Sequence, residues 1–405
     1  LQVFQLLNLI GWKQMNKPQI FDYPLFALGF RAFFALAGLS ALALIALWKS
    51  IHDGSFTALN YFPANYWHAH EMLLGYASAV IAGFLLTAVK NWTGEQTLYG
   101  DKLAGLCLLW IYGRLLPFYS GLFPDSLIAL VDLSFLPILA YCIAKPIIKT
   151  GNFKNLLFVA LLLVMTVGNV LIHAELLKLT QHSAWAGLSL VISMIILLIL
   201  VIAGRVFPFF TERGLSNVLI LPNPLFEILA ISSAVLVFFL QFLQINGTLL
   251  ALVAVFAVVA NLVRVLNWYN RRIWYVPLLW VLYAGYGWII LGFGLTALSA
   301  YGWVSATLAL HAFTVGGIGI LTLGMMARVS LGHTGRALRV SNAIALAFVL
   351  INLATLFRVL IPMALPQWYE QVVYLSTLCW LAAFSLFILI YAPILTSARI
   401  DGKEG

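Results

Sequence analysis

Twelve stretches of about twenty apolar residues follow one another along this chain, with only short polar segments between them. No other feature restricts the fold as strongly. In a bilayer every backbone N–H and C=O must be satisfied internally, which leaves helices or closed barrels. Runs of this length without period-two alternation predict helices. They cover approximately residues 28–50, 66–90, 102–120, 124–147, 154–178, 184–207, 223–244, 247–268, 276–299, 305–329, 339–361 and 369–396. The expected fold class is therefore an all-α integral membrane protein, a single bundle of about twelve transmembrane helices. Only 9% of residues are charged and 63% are hydrophobic, whereas a soluble domain carries about 25% charge. The loops are too short for a soluble catalytic domain. Residues 1–27 read as an N-terminal extension or interfacial segment, 28–396 as the helical domain and 397–405 as a cytoplasmic tail.

A formal charge of +9 suggests a nucleic-acid partner until its distribution is considered. With the N-terminus cytoplasmic, eighteen basic residues fall in one set of connections and only Lys49, Lys178 and Arg358 in the other, Arg114 lying within a span. The positive-inside rule then places both termini in the cytoplasm. The basic excess reports topology, and no nucleic acid is expected. Cys107, Cys142 and Cys379 stand on separate spans without CxxC or CxxCH spacing. A disulfide framework and covalent haem attachment are not expected.

Four histidines, His68, His70, His173 and His311, come from three spans and fall near the same, non-cytoplasmic face. Imidazoles in a membrane are costly unless they ligate, carry protons or find hydrogen bonds. All four are candidate metal ligands, for a non-covalent b-type haem or for copper. In Trp67-His68-Ala69-His70-Glu71-Met72, helical spacing puts His68, Glu71 and Met72 on one face. His70 points about 200° away from His68, so the two serve different centres, or one is a ligand and the other a supporting group. Glu71 and Met72 are supporting candidates. Proton-pathway and purely structural roles remain open for the same histidines. Arg114, inside the third span, reads either as an ion-pair partner of Asp132 or as an anchor for a haem propionate.

Three strings end spans on the opposite face: Lys90-Asn91-Trp92-Thr93-Gly94, GRVFPFFT from Gly204, and Ala327-Arg328-Val329-Ser330-Leu331-Gly332-His333-Thr334-Gly335-Arg336. Arg205, Arg328, His333 and Arg336 are candidates for an anion or propionate pocket, or for arginines snorkelling to the interface. Together with GFRAFF from Gly29, WHAHEMLLGYASAVIAGFLLTAVKNWTG from Trp67 and HAFTVGGIGILTLGMMARVSLGHTGR from His311, these strings resemble the NnrS family over about residues 22–396. Ala32 stands where that family usually has proline.

The resemblance implies a haem- and copper-containing protein of the bacterial inner membrane that acts in the response to nitric oxide and nitrosative stress. It carries His68, His70, His311 and His333 over as recurring histidines, and His173 less firmly. Nitric oxide would be the small ligand and a respiratory component the electron donor, while the resemblance implies no particular reaction. Histidines on the second and tenth spans also resemble haem–copper oxidase subunits, but no histidine falls on spans six or seven to build their copper centre. Two other functions compete: a twelve-helix transporter of an anion or of haem, and a non-catalytic partner of a respiratory complex.

Overall fold

The computed structural model describes residues 23–56 and 61–402. Residues 1–22 of the expected interfacial segment and Lys403 of the tail lie outside the described residues, and Pro24–Phe26 form one 3-10 turn. Twelve long helices follow: α1 (Gly29–His52), α2 (Ala64–Thr93), α3 (Gly100–Leu115), α4 (Asp125–Lys149), α5 (Leu156–Leu176), α6 (Ser183–Gly214), α7 (Pro224–Phe242), α8 (Thr248–Trp268), α9 (Pro277–Ser299), α10 (Ala306–His333), α11 (Asn342–Ala364) and α12 (Tyr369–Thr396).

Eleven of these helices are long and apolar enough to cross a membrane, and the chain is a multi-pass membrane protein. The exception is α3, whose 16 residues span about 24 Å at 1.5 Å each, against a hydrocarbon core of about 30 Å. It nevertheless runs antiparallel to α2. Trp110 Nε1 donates to the Gly75 carbonyl at 3.1 Å and Arg114 Nη1 to that of Leu74 at 2.7 Å. The helix stops one residue after Arg114 and passes into a 3-10 turn, Leu116–Tyr119.

Local chemistry explains several helix ends. Pro224 and Pro277 occupy first-turn positions where no N–H is needed, and Asn223, Ser305 and Ser341 accept backbone N–H groups at their helix starts. The three strings expected just beyond spans two, six and ten are instead the final turns of α2, α6 and α10. The largest shift is in α6, which continues through Pro208 to Gly214. A proline inside a membrane helix survives where neighbours satisfy the freed carbonyl.

The centre of the bundle is α2 and α10, whose most apolar stretches are 89% and 72% buried, against 33–61% for the other spans. Tyr76 Oη and Thr322 Oγ1 join them at 2.5 Å. A small residue lets α9 approach α10 closely: a Cβ at Gly316 would meet Trp288 Cβ at 2.6 Å. Each central helix contains one π-helical stretch, Glu71–Ala77 in α2 and Ala312–Gly319 in α10. These begin immediately after His70 and His311. π-Helical turns are rare and gather at functional sites.

The first and last helices close on each other. Trp380 Nε1 donates to the Ala41 carbonyl at 2.9 Å, and Arg31 Nη1 donates to the carbonyls of Leu395 and Ser397 at 3.0 and 2.6 Å. Gly29 and Thr396 therefore lie at one end of the bundle. Outward-facing apolar side chains such as Leu130 and Leu252 are exposed, as suits contact with lipid tails.

Candidate functional site

Four helices bring ionisable and amide side chains together at the end of the bundle opposite the chain termini. From α2 come His70 and Glu71, from α3 Arg114, from α4 Asp132, and from α5 Asn169 and His173 at i, i+4 spacing on one face. The segment before α2 adds Tyr61 and Phe62. His70 is 0% exposed and Asp132 4%, so every polar atom here needs a partner.

The contacts converge on one carboxylate oxygen. Asp132 Oδ2 lies 3.1 Å from His70 Nε2, 3.0 Å from His173 Nε2 and 2.7 Å from Asn169 Nδ2, which donates to it. Asn169 Oδ1 also faces His70 Nε2, at 3.2 Å. The far side of each donor is held as well. His70 Nδ1 meets Glu71 Oε1 at 3.0 Å, His173 Nδ1 meets Tyr61 Oη at 3.1 Å, and Asp132 Oδ1 pairs with Arg114 Nη2. Arg114 Nε also pairs with Glu71 Oε2 at 2.8 Å. Phe62 covers His70, with ring centroids 4.3 Å apart.

Hydrogen-bond arithmetic gives this arrangement its chemical meaning. An ionised carboxylate only accepts, so Glu71 draws the ring proton of His70 to Nδ1. His70 Nε2 then presents a lone pair towards Asp132 Oδ2 and Asn169 Oδ1, which are also electron-pair donors. A further proton, on His70 or on a carboxyl, or a metal ion would satisfy them. Charge gives the same answer: two carboxylates and one guanidinium leave a buried excess of one negative charge, which is expensive in a low-dielectric interior. His70, Asp132 and His173 offer ligand atoms all within 4.8 Å of one another, and this buried group can hold a metal ion. Their outer partners are the kind that orient ligands around metals.

Tyr61 lies outside the spans. Burial, followed by the charges of Asp125 and Asp132, pushes its hydroxyl above the ordinary tyrosine range. The neutral hydroxyl can donate to His173 Nδ1 or accept from it, accommodating either tautomer.

The four histidines fall into two groups. His68 faces away from His70 and stacks on Trp48 of α1, with ring centroids 4.4 Å apart and planes 14° from parallel. Its Nδ1 is buried without a hydrogen-bond partner. His311 donates Nδ1–H to the Thr307 carbonyl at 2.6 Å, which leaves the Nε2 lone pair unused. His68 and His311 lie within electrostatic reach of each other, and Arg358 acts on both.

A family model described as NnrS protein matches residues 24–399. The chain belongs to the NnrS family. The match covers the whole described bundle apart from three residues of the tail and Tyr23, and agrees with the range over which the motifs resemble that family. A search of curated proteins returns no match for this NnrS-family chain.

Other candidates are placed as follows. Arg114 is engaged by Glu71, Asp132 and the Leu74 carbonyl, so a propionate would have to displace one of them. Met72 packs in the core. The four residues expected to form an anion pocket, Arg205, Arg328, His333 and Arg336, have these neighbours. Arg205 donates to Asn155 Oδ1 at 2.6 Å and lies over Phe158. Arg328 lies over Phe210, 3.8 Å from its centroid. His333 contacts the Phe30 ring and Asn91. Arg336 keeps a buried Nη1 without a partner. Sequence reasoning took Asp132 only as an ion-pair partner for Arg114, and missed Tyr61. An aspartate within an apolar run was a visible signal for the first; a tyrosine in a loop offered none.

Proposed function

We propose that this chain is a redox metalloprotein of the bacterial inner membrane. His70, Asp132 and His173 hold a metal ion, and His68 and His311 hold a haem b. The observation that carries the reading is the convergence of three ligand atoms whose far atoms are each held by another side chain. Two imidazoles and one carboxylate suit a divalent first-row ion, and the general affinity order favours Cu(II). For the haem, His311 is in the tautomer a ligand needs, and His68 Nδ1 is buried without a hydrogen-bond partner.

A metal held here by His70, Asp132 and His173 would supply an open coordination position for a small neutral ligand such as nitric oxide and, once reduced to Cu(I) by an external electron donor, one electron, consistent with a role in nitrosative stress tolerance. The protein's own part is to orient and shield. Glu71 and Tyr61 fix the two imidazoles, Arg114 clamps Asp132, and Phe62 keeps water from His70. The basic excess at the terminal end favours cytoplasmic termini, which puts the site near the periplasmic side, where a membrane-soluble gas has ready access.

Metal analysis and a visible spectrum of the purified protein test this reading. It requires one non-haem metal ion per chain, lost in His70→Ala, together with a Soret band that His311→Ala removes while the non-haem ion stays. A colourless wild-type protein without bound metal would overturn it. The His70 group would then be a proton-carrying site, as a transporter could use.

A further inference from the structure

Arg328 is a buried cation without an anionic partner among the described residues. It is only 5% exposed, makes no hydrogen bond or ion pair among the described residues, and no other charged group acts on it. Its only specific contact is the face of Phe210. A buried guanidinium without an anion is costly, so its surroundings matter.

One turn deeper into the bundle lies a half-open apolar cavity lined by α1, α2, α6 and α10. Its walls include Phe34, Val80, Phe84, Phe207 and Met325. Arg328 follows Met325 by three residues on α10, and Phe210 follows Phe207 by three on α6. The guanidinium and its supporting ring thus stand one helical turn beyond the cavity's lining, on its terminal-end side. Arg328 is five residues before the end of α10 at His333, about 7.5 Å by helical rise. It thus sits in the last two turns of the span, with the cavity lined by residues nearer the middle of α10.

We propose that this cavity binds one chain of an anionic membrane phospholipid, with Arg328 pairing to its phosphate. The polarity runs the same way as in the leaflet: charge at the interface, hydrocarbon inside. A guanidinium forks onto phosphate in bidentate fashion, and Phe210 supports its other face through a cation–π contact. The lipid supplies the missing anion and fills space that would otherwise lack packing partners. The proposal does not depend on the metal site at the other end.

Native mass spectrometry of the detergent-purified chain tests it, with phosphatidylglycerol and phosphatidylcholine added in turn. One phosphatidylglycerol should be retained in preference to phosphatidylcholine, and Arg328→Gln should weaken retention roughly tenfold, the scale of one charge-assisted contact. Arg328→Lys should keep part of the preference. Val80→Phe, which fills the cavity and leaves the charge, should also release the lipid; it keeps the test alive should Arg328→Gln fail to fold. Equal retention of both lipids, retention unchanged in Arg328→Gln and Val80→Phe, or inorganic phosphate competing as well as the lipid would overturn the proposal.

Discussion

At the scale of single residues, the site depends on groups that never touch the proposed metal. Tyr61 fixes His173 through one hydrogen bond. Removing such an outer partner generally costs 10–100-fold in metal affinity. Tyr61→Phe should therefore weaken metal binding by about that factor in a competition titration with a chelator, at unchanged stoichiometry; unaltered affinity would remove Tyr61 from the site. Much at this scale was legible. A histidine or arginine in an apolar run signals an interior role because nothing else repays its desolvation, and this singled out His70, His173 and Arg114. What could not be read was the partition of four histidines into two groups. That depends on which neighbour each helix face meets: α4 and α5 for His70, α1 for His68. Arg264 was misjudged for a related reason. It counted among the basic residues of the cytoplasmic connections, yet it is fully buried and reaches both oxygens of Glu227, at 2.5 and 3.1 Å, and Tyr286 Oη at 2.9 Å.

At the scale of elements, α2 and α10 carry the account. Hydropathy located both, but nothing in an apolar pattern distinguishes an α-helical turn from a π-helical one. The wide turns that begin after His70 and His311 were therefore not visible. The unexpected length of α6 has the same origin: Pro208 reads as a helix end, and packing overrides it. Gly316→Leu would drive a side chain into Trp288 and Thr355 and should tilt the π-helical stretch next to His311. A loss of haem absorbance with full retention of non-haem metal is expected, because the His70 group lies on other helices. Loss of both centres together would mean that the two sites are not separately supported.

At the scale of the whole molecule, the contact between Arg31 and the end of α12 puts both described ends of the chain on one side, and the charge distribution predicts that this side is cytoplasmic. Single cysteines at Asn217 and Tyr301, placed in a background lacking Cys107, Cys142 and Cys379, should label from opposite faces of intact cells, Tyr301 alone being accessible to an impermeant reagent. The reverse pattern would invert the placement of the histidines. The number of long helices was legible because each apolar run must satisfy its own backbone in lipid; that only eleven of the twelve are long enough to cross a membrane was not, because the third ends at Leu115, one residue after Arg114. The claim beneath all of this is that a cation occupies the point where His70, Asp132 and His173 meet. X-ray absorption at the edge of the non-haem metal tests it most directly. The account predicts scattering from two imidazoles and at least one oxygen in the wild type, falling to one imidazole in His173→Ala. Sulfur ligation, or a spectrum that His173→Ala leaves unchanged, would contradict it.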